Sequence, residues 1–229
     1  MESEKERLIT MFINIGKNEK EEKLRICKAQ CERFLVDKDD NDIRDLINVI
    51  QALLIYFETG DKEESRRWVD DLCDRLYLKT NLSLYEIRIM NCLVFTETSI
   101  EKVIKAVEFS LRQLEIYRFH QDYIKVKIIM KLNLVILLTD CKFFDNQYKS
   151  EYDELISKSL KEVIKLNLKS RLNDSYYVAT ATIYKGILLK DQDLIYIGFL
   201  LLRSSDPEGE KDIENLIKVF INKYNISVS

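Results

Sequence analysis

The amino-acid sequence predicts an all-α protein built from helical pairs, and three observations carry that reading. One proline and five glycines in 229 residues, beside abundant Leu, Ile, Lys and Glu, leave little turn chemistry for hairpins and much material for helices. Apolar residues recur at helical rather than strand spacing. Turn signals divide the chain at "FETGDKEES" near Thr59, "FTETSIEK" near Thr98, "FFDNQYKS" near Asn146 and "LLKDQDLI" near Lys190. Each interval is about 40 to 50 residues, enough for two ordinary helices and their loops. Quasi-regular pairs of this kind imply a tetratricopeptide-like α-solenoid, a right-handed superhelix of about 10 to 11 helices. The tetratricopeptide consensus itself is absent: there is no W-x-x-L-G-x-x-Y with its closing Pro.

Residues 1–40 read as two charged helices forming an N-terminal pair. Residues 41–190 read as the core repeats, in which 41–59, 82–96, 121–141 and 173–190 are apolar over most of their circumference and belong to an enclosed inner layer. The segments between them, "DKEESRRWVDDLCDRLYL" and "KSEYDELISKSLKEVIKLNL" among them, alternate charge with apolar stripes and belong to an outer layer. In "YYVATATIYKG" the small residues Ala179, Thr182 and Gly186 recur every three or four positions, which permits close helix approach. Residues 191–229 read as capping or dimerising helices. There Asp206 suits an N-cap and Pro207 the first helical position, while Glu208 and Glu210 complement the helix dipole. Ile213, Leu216, Ile217 and Phe220 form one stripe, suited to capping the stack or pairing with a second copy. The whole chain, 1–229, is expected to be one helical-repeat domain with no helix-turn-helix.

Composition narrows the function classes. With 46% apolar and 33% charged residues the chain has material for a sizeable core. A formal net charge of -3, with no concentrated basic segment, argues against a DNA-binding surface. Lys131 and Asn133 interrupt the richest apolar run, and "MESEKERLIT" is too charged for a signal peptide, so a cytoplasmic location away from membranes is expected. Cys27, Cys31, Cys73, Cys92 and Cys141 contain no C-x-x-C and lie in apolar helical patterns, which suits buried free thiols in a reducing compartment.

Site chemistry is sparse. The single histidine, His120, sits at a loop-to-helix junction, and the glycines are too scattered for a phosphate-binding loop. Acid pairs such as Asp39–Asp40, Glu63–Glu64 and Asp70–Asp71 fall in charged, turn-proximal stretches and read as solvated. No active-site constellation, metal site or cofactor motif emerges, so a non-enzymatic role is expected. What remains is a polar group on each inner helix. Arg88 and Asn91 line up with Leu84 and Phe95; Asn133 lines up with Val126, Met130 and Leu137; Arg44, Asn48 and Gln51 share a face, as do Tyr176, Thr180 and Tyr184. Two readings fit such rows. Asn and Gln can meet a peptide backbone with donor and acceptor together and Arg can grip a carboxylate, or the same groups are satisfied polar residues of a core.

The stretch "LSLYEIRIMNCLVF", followed by "YIKVKIIMKLNLVILLTDCKFF" and "YYVATATIYKGILLK", resembles the C-terminal regulatory domain of the Rgg/GadR/MutR transcriptional regulators of Gram-positive bacteria. The shared pattern is Tyr85, Glu86, Asn91, Leu93 and Phe95, and it extends over residues 40 to 190. The resemblance implies a cytoplasmic homodimer whose concave face senses a short signalling peptide, as in quorum sensing. Arg88, Asn91 and Asn133 would line that groove, joined by Tyr85 and Tyr176. It also implies that DNA is reached only through a helix-turn-helix domain, which the first forty residues do not supply.

Overall fold

The computed structural model describes residues 3–15, 20–144, 148–169 and 174–205, together with Glu210, Ile213, Glu214 and Ile217. All regular structure among them is helical. Eleven α-helices run α1 Glu4–Ile13, α2 Lys20–Asp37, α3 Asn41–Thr59, α4 Lys62–Arg67, α5 Asp70–Tyr77, α6 Leu84–Leu93, α7 Ile100–Leu114, α8 Tyr123–Phe144, α9 Tyr152–Lys169, α10 Ser175–Leu189 and α11 Gln192–Ser205, with short 3-10 turns after α6 and α7. The helix ends expected near Thr59, Thr98 and Lys190 fall at these boundaries. The turn near Asn146 lies outside the described residues, between α8 and α9.

Local chemistry explains the boundaries. Ser3 opens α1 with a capping box: its hydroxyl accepts from the Glu6 N–H at 3.2 Å and the Glu6 carboxylate accepts from the Ser3 N–H at 2.7 Å. Asp40, Asp61 and Asp174 cap α3, α4 and α10 by accepting backbone N–H groups. Helix α3 ends at Gly60, whose φ of 72° is a conformation only glycine adopts cheaply. Helix α10 ends on Lys190 at φ 54°, where the N–H of Asp191 closes on the Gly186 carbonyl at 2.9 Å.

The chain divides into two compact units, residues 1–117 and 118–229. In the first, α1 packs on α2, α2 on α3, α3 on α4 and α6, and α6 on α7. Ile43, Leu46, Val49, Ile50, Ile87 and Met90 form its centre at almost no exposure. In the second, α8 packs on α9, both meet α10, and α10 lies along α11. Val126, Ile128, Met130, Val135, Leu138, Ile183, Tyr184 and Phe199 are buried there. Fully burying each such side chain contributes about 1.5 to 3 kcal/mol, so helices this short gain their stability from packing rather than propensity.

Within each unit the helices differ in how far their neighbours enclose them. Helices α3, α8 and α10 are buried on several sides, whereas α7 and α9 bury single stripes, Val103, Ala106, Val107, Ser110 and Leu114 on α7 and Ile156, Ser159, Leu160, Val163 and Asn167 on α9. The segment "DKEESRRWVDDLCDRLYL" differs from expectation in being two helices. Trp68 and Val69 close onto Ser65 and Arg66 in tight turns, and Val69 leaves the helical region at φ -129°, which drops its side chain into the core at 1% exposure. The small residues of α10 have the predicted consequence. A Cβ on Gly186 would stand 2.6 Å from Ile195 Cγ1, and one on Gly198 would stand 2.4 Å from Ile183 Cγ1, so α10 and α11 approach at a distance only glycine tolerates. The terminal helix expected from Asp206 lies largely outside the described residues; of its stripe, Ile213 and Ile217 are described and both are buried.

Candidate functional site

The register of α6 is set at its first turn. Ser83 and Glu86 form a second capping box, with Ser83 Oγ accepting from the Glu86 N–H at 3.2 Å and Glu86 Oε2 from the Ser83 N–H at 2.7 Å. Lys79 donates to the other oxygen of Glu86, so this carboxylate is occupied by the cap. From that start Ile87, Ile89, Met90 and Leu93 turn into the core, and Leu84, Arg88 and Phe95 of the polar row stay half-buried. Asn91 sinks further, to 8% exposure. Phe95 packs its ring against Tyr56 of α3, 5.9 Å between centroids.

Tyr85 goes a different way. Its hydroxyl is buried with no hydrogen-bond partner among the described residues. Burial pushes the phenol well above its ordinary range, with Asp42, Asp45, Cys31 and Cys92 adding negative potential. Tyr85→Phe removes an unsatisfied buried polar atom while keeping the ring. It is expected to raise stability by about 1 kcal/mol, read as a higher urea midpoint at unchanged m-value; a loss of stability would mean the hydroxyl has a partner in solution.

In the second unit Asn133 is half-buried on α8, while Val126, Met130 and Leu137 of its row are buried. Lys131, two residues earlier, is buried to 8% exposure and reaches Glu162 of α9 at 2.5 Å. The residue that interrupts the apolar run is thus an ion-pair partner within its own unit. Tyr176 is half-buried in the first turn of α10, edge-on to Tyr177 at 5.8 Å. Thr180 and Tyr184 of the same row are buried. Arg44 is turned to Asp39 and Asn41 at the start of α3. Arg88, Asn91, Asn133 and Tyr176 each engage at least one group within the fold. The structure thus brings Tyr85, Arg88 and Asn91 together on α6 and sets Asn133 and Tyr176 in the other unit, on α8 and α10.

Two features were not legible in the sequence. The first is a buried ion pair. Glu97, in the turn after α6, is 4% exposed and accepts from Arg66 of α4 at 2.7 Å. Arg66 also holds Asp70 across the α4–α5 break, and the Thr98 N–H donates to Glu97 at 3.2 Å. Asp70, read as solvated, is exposed but belongs to this network. Cys73 beside it is buried, and that burial pushes its thiol up to about 11. Cys27, Cys31 and Cys141 are buried as expected, while Cys92 is half-exposed. Cys27 and Cys31, one turn apart on α2, share a hydrogen bond that favours ionising Cys27 and disfavours ionising Cys31.

The second feature is a groove of about 850 Å³ between α1 and α2, walled by Glu4, Arg7, Leu8 and Met11 on one side and by the α2 stripe from Ile26 to Lys38 on the other. None of the five sequence-derived candidates lines it. The sequence signal that could have found it is the matched helical spacing of the two stripes. Among the described residues no helix is long and apolar enough to cross a membrane, and His120 is an exposed loop residue whose Nδ1 accepts from the Asp122 N–H at 3.1 Å. No family model, curated protein or solved structure matches the chain.

Proposed function

We propose that the chain is a peptide-sensing, dimerising regulatory domain of the Rgg/MutR type. In this reading it is a tetratricopeptide-like helical-repeat module that binds a short signalling peptide and transmits occupancy to a DNA-binding partner domain. The observation that carries the reading is the edge of α6, where Arg88 stands half-buried beside the sunken amide of Asn91 in an otherwise apolar helix. A guanidinium in such surroundings can take a peptide carboxylate, and an amide can meet a backbone N–H and C=O. Asn133 and Tyr176 offer the same mixture on α8 and α10. The quoted similarity of "LSLYEIRIMNCLVF" and the helices that follow it supplies the regulatory context, including a cytoplasmic homodimer.

The test is recovery of a ligand. Purified protein is incubated with the small-peptide fraction of its source culture, and retained peptides are identified by mass spectrometry, with Arg88→Ala/Asn133→Ala as control. The expected outcome is one apolar peptide retained by wild type and lost by a variant whose melting temperature stays within about 5 °C. Equal retention by both proteins, or none by either, would overturn the reading.

An interaction scaffold is the second reading, and the outer face of α11 favours it. Tyr196, Ile197 and Leu200 form an exposed apolar cluster there, with 43%, 47% and 42% of their surface accessible. A partner protein captured by that face and lost with Ile197→Asp, while Arg88→Ala has no effect, would replace peptide sensing with scaffolding.

A further inference from the structure

The α1–α2 groove has the geometry of a half-built helix bundle. On α1 its lining residues fall at positions 4, 7, 8 and 11, and on α2 they recur from Ile26 to Lys38 at intervals of three and four. Each helix thus presents one continuous stripe to the same trough. Leu8 and Phe34 form a buried floor, Met11 is half-buried, and Ile26 and Ala29 are exposed on the wall. The α2 stripe is about 18 Å long at 1.5 Å per residue, the length of a helix of about three turns. Ridges and grooves at helical spacing receive another helix better than an extended chain, which would need backbone hydrogen-bond partners that helix flanks lack.

Charge selects the occupant. Glu4 and Lys38 bridge at 2.9 Å and neutralise each other at one end of the trough. Lys38 first, and Arg7 secondarily, hold the Glu4 carboxyl below its usual range. Arg7 on one wall and Arg33 on the other have no ion pair among the described residues and are exposed. Asp37 is the one remaining lining carboxylate, so the unpaired charge in the trough is positive. Among the described residues, the exposed apolar face of α11 at Tyr196, Ile197 and Leu200 is flanked by Asp193 and Arg203 rather than by a set of carboxylates, so that face is a poor match for the trough.

We infer that the α1–α2 groove docks an amphipathic helix of a partner protein, with apolar residues on one stripe seated on Leu8, Met11, Ile26 and Phe34 and carboxylates on its flanks meeting Arg7 and Arg33. This site is independent of Arg88, Asn91 and Asn133, so either proposal survives failure of the other.

A phage-displayed library of 14-residue amphipathic helices, randomised at the apolar and flanking positions, is selected on the full chain. Clones are then measured as synthetic peptides by fluorescence anisotropy. The expected clones carry apolar residues at i, i+3 or i+4 and i+7 with Asp or Glu beside them. They should bind at least tenfold more weakly to Arg7→Glu/Arg33→Glu and to Ala29→Arg, which blocks the trough from an exposed position outside the core. Circular dichroism confirms that both variants fold. Enrichment of neutral or basic flanks, equal binding to Ala29→Arg, or no enrichment would overturn the inference. So would a dimer of the bare chain in sedimentation that Arg7→Glu/Arg33→Glu dissociates, because the occupant would then be a second copy.

Discussion

Glu97→Ala is expected to destabilise the first unit by about 3 to 5 kcal/mol, the cost of leaving a partly buried guanidinium without its counter-charge. The side chains of Arg66 and Glu97 are 17% and 4% exposed, so water cannot replace the lost carboxylate fully on either side. Asp70 still faces Arg66, but from the solvent edge at 55% exposure, and compensates only in part. The Thr98 N–H also loses its acceptor. Urea denaturation monitored at Trp68, which lies beside the α4–α5 break, reads the loss as a lower midpoint. The double variant Arg66→Met/Glu97→Leu is expected to recover most of the stability, because it removes both charges and their desolvation together. A cost below about 1 kcal/mol for Glu97→Ala would show that the pair is solvated in solution.

Gly186→Ala is expected to cost the second unit about 2 to 3 kcal/mol, although alanine is the better helix former by up to about 1 kcal/mol. The added methyl would lie 2.8 Å from the Ile195 nitrogen and 2.9 Å from the Asp191 carbonyl oxygen. These are backbone atoms, so no change of side-chain rotamer relieves the overlap, and α11 must move away from α10. The reciprocal glycine, Gly198, faces Ile183 and the Ala179 carbonyl in the same manner. Truncating Ile195 in the Gly186→Ala background relieves the 2.6 Å clash with Cγ1 but not the backbone contacts, so it should restore little. Thermal unfolding of both variants checks this; an unchanged melting temperature for Gly186→Ala would mean that the two helices are more widely spaced than described.

How far the site was legible follows from the same physics. A helical wheel lines up Arg88 with Asn91 and Asn133 with Met130, because the helical period needs only local backbone geometry. It says nothing about which face a neighbour covers. Tyr85 and Arg88 are three residues apart and look alike on the wheel, yet the Tyr85 hydroxyl is fully buried while the Arg88 side chain stays half-buried. Tyr176 and Tyr184 share a row, and only Tyr184 is enclosed. Arg66 sits in a charged run that reads as solvated until Glu97, 31 residues on, is folded against it. The α1–α2 trough escaped notice for the same reason: its two stripes are 15 or more residues apart in sequence, and their facing each other is a tertiary fact.

The sequence by itself determined the helical class, the helix ends near Thr59, Thr98 and Lys190, the burial of four of the five thiols and the close-packing motif of α10. Each of these depends on interactions within about one turn, namely caps at Ser3, Asp40, Ser83 and Asp174, the αL stop at Gly60, and apolar stripes of constant period. Only the tertiary structure decided the break at Val69, the pairing of Arg66 with Glu97 and of Lys131 with Glu162, and the direction in which each polar row points. Those outcomes rest on desolvation and packing between segments distant in sequence, and a charge or hydroxyl carries no local mark of the neighbour that will bury it.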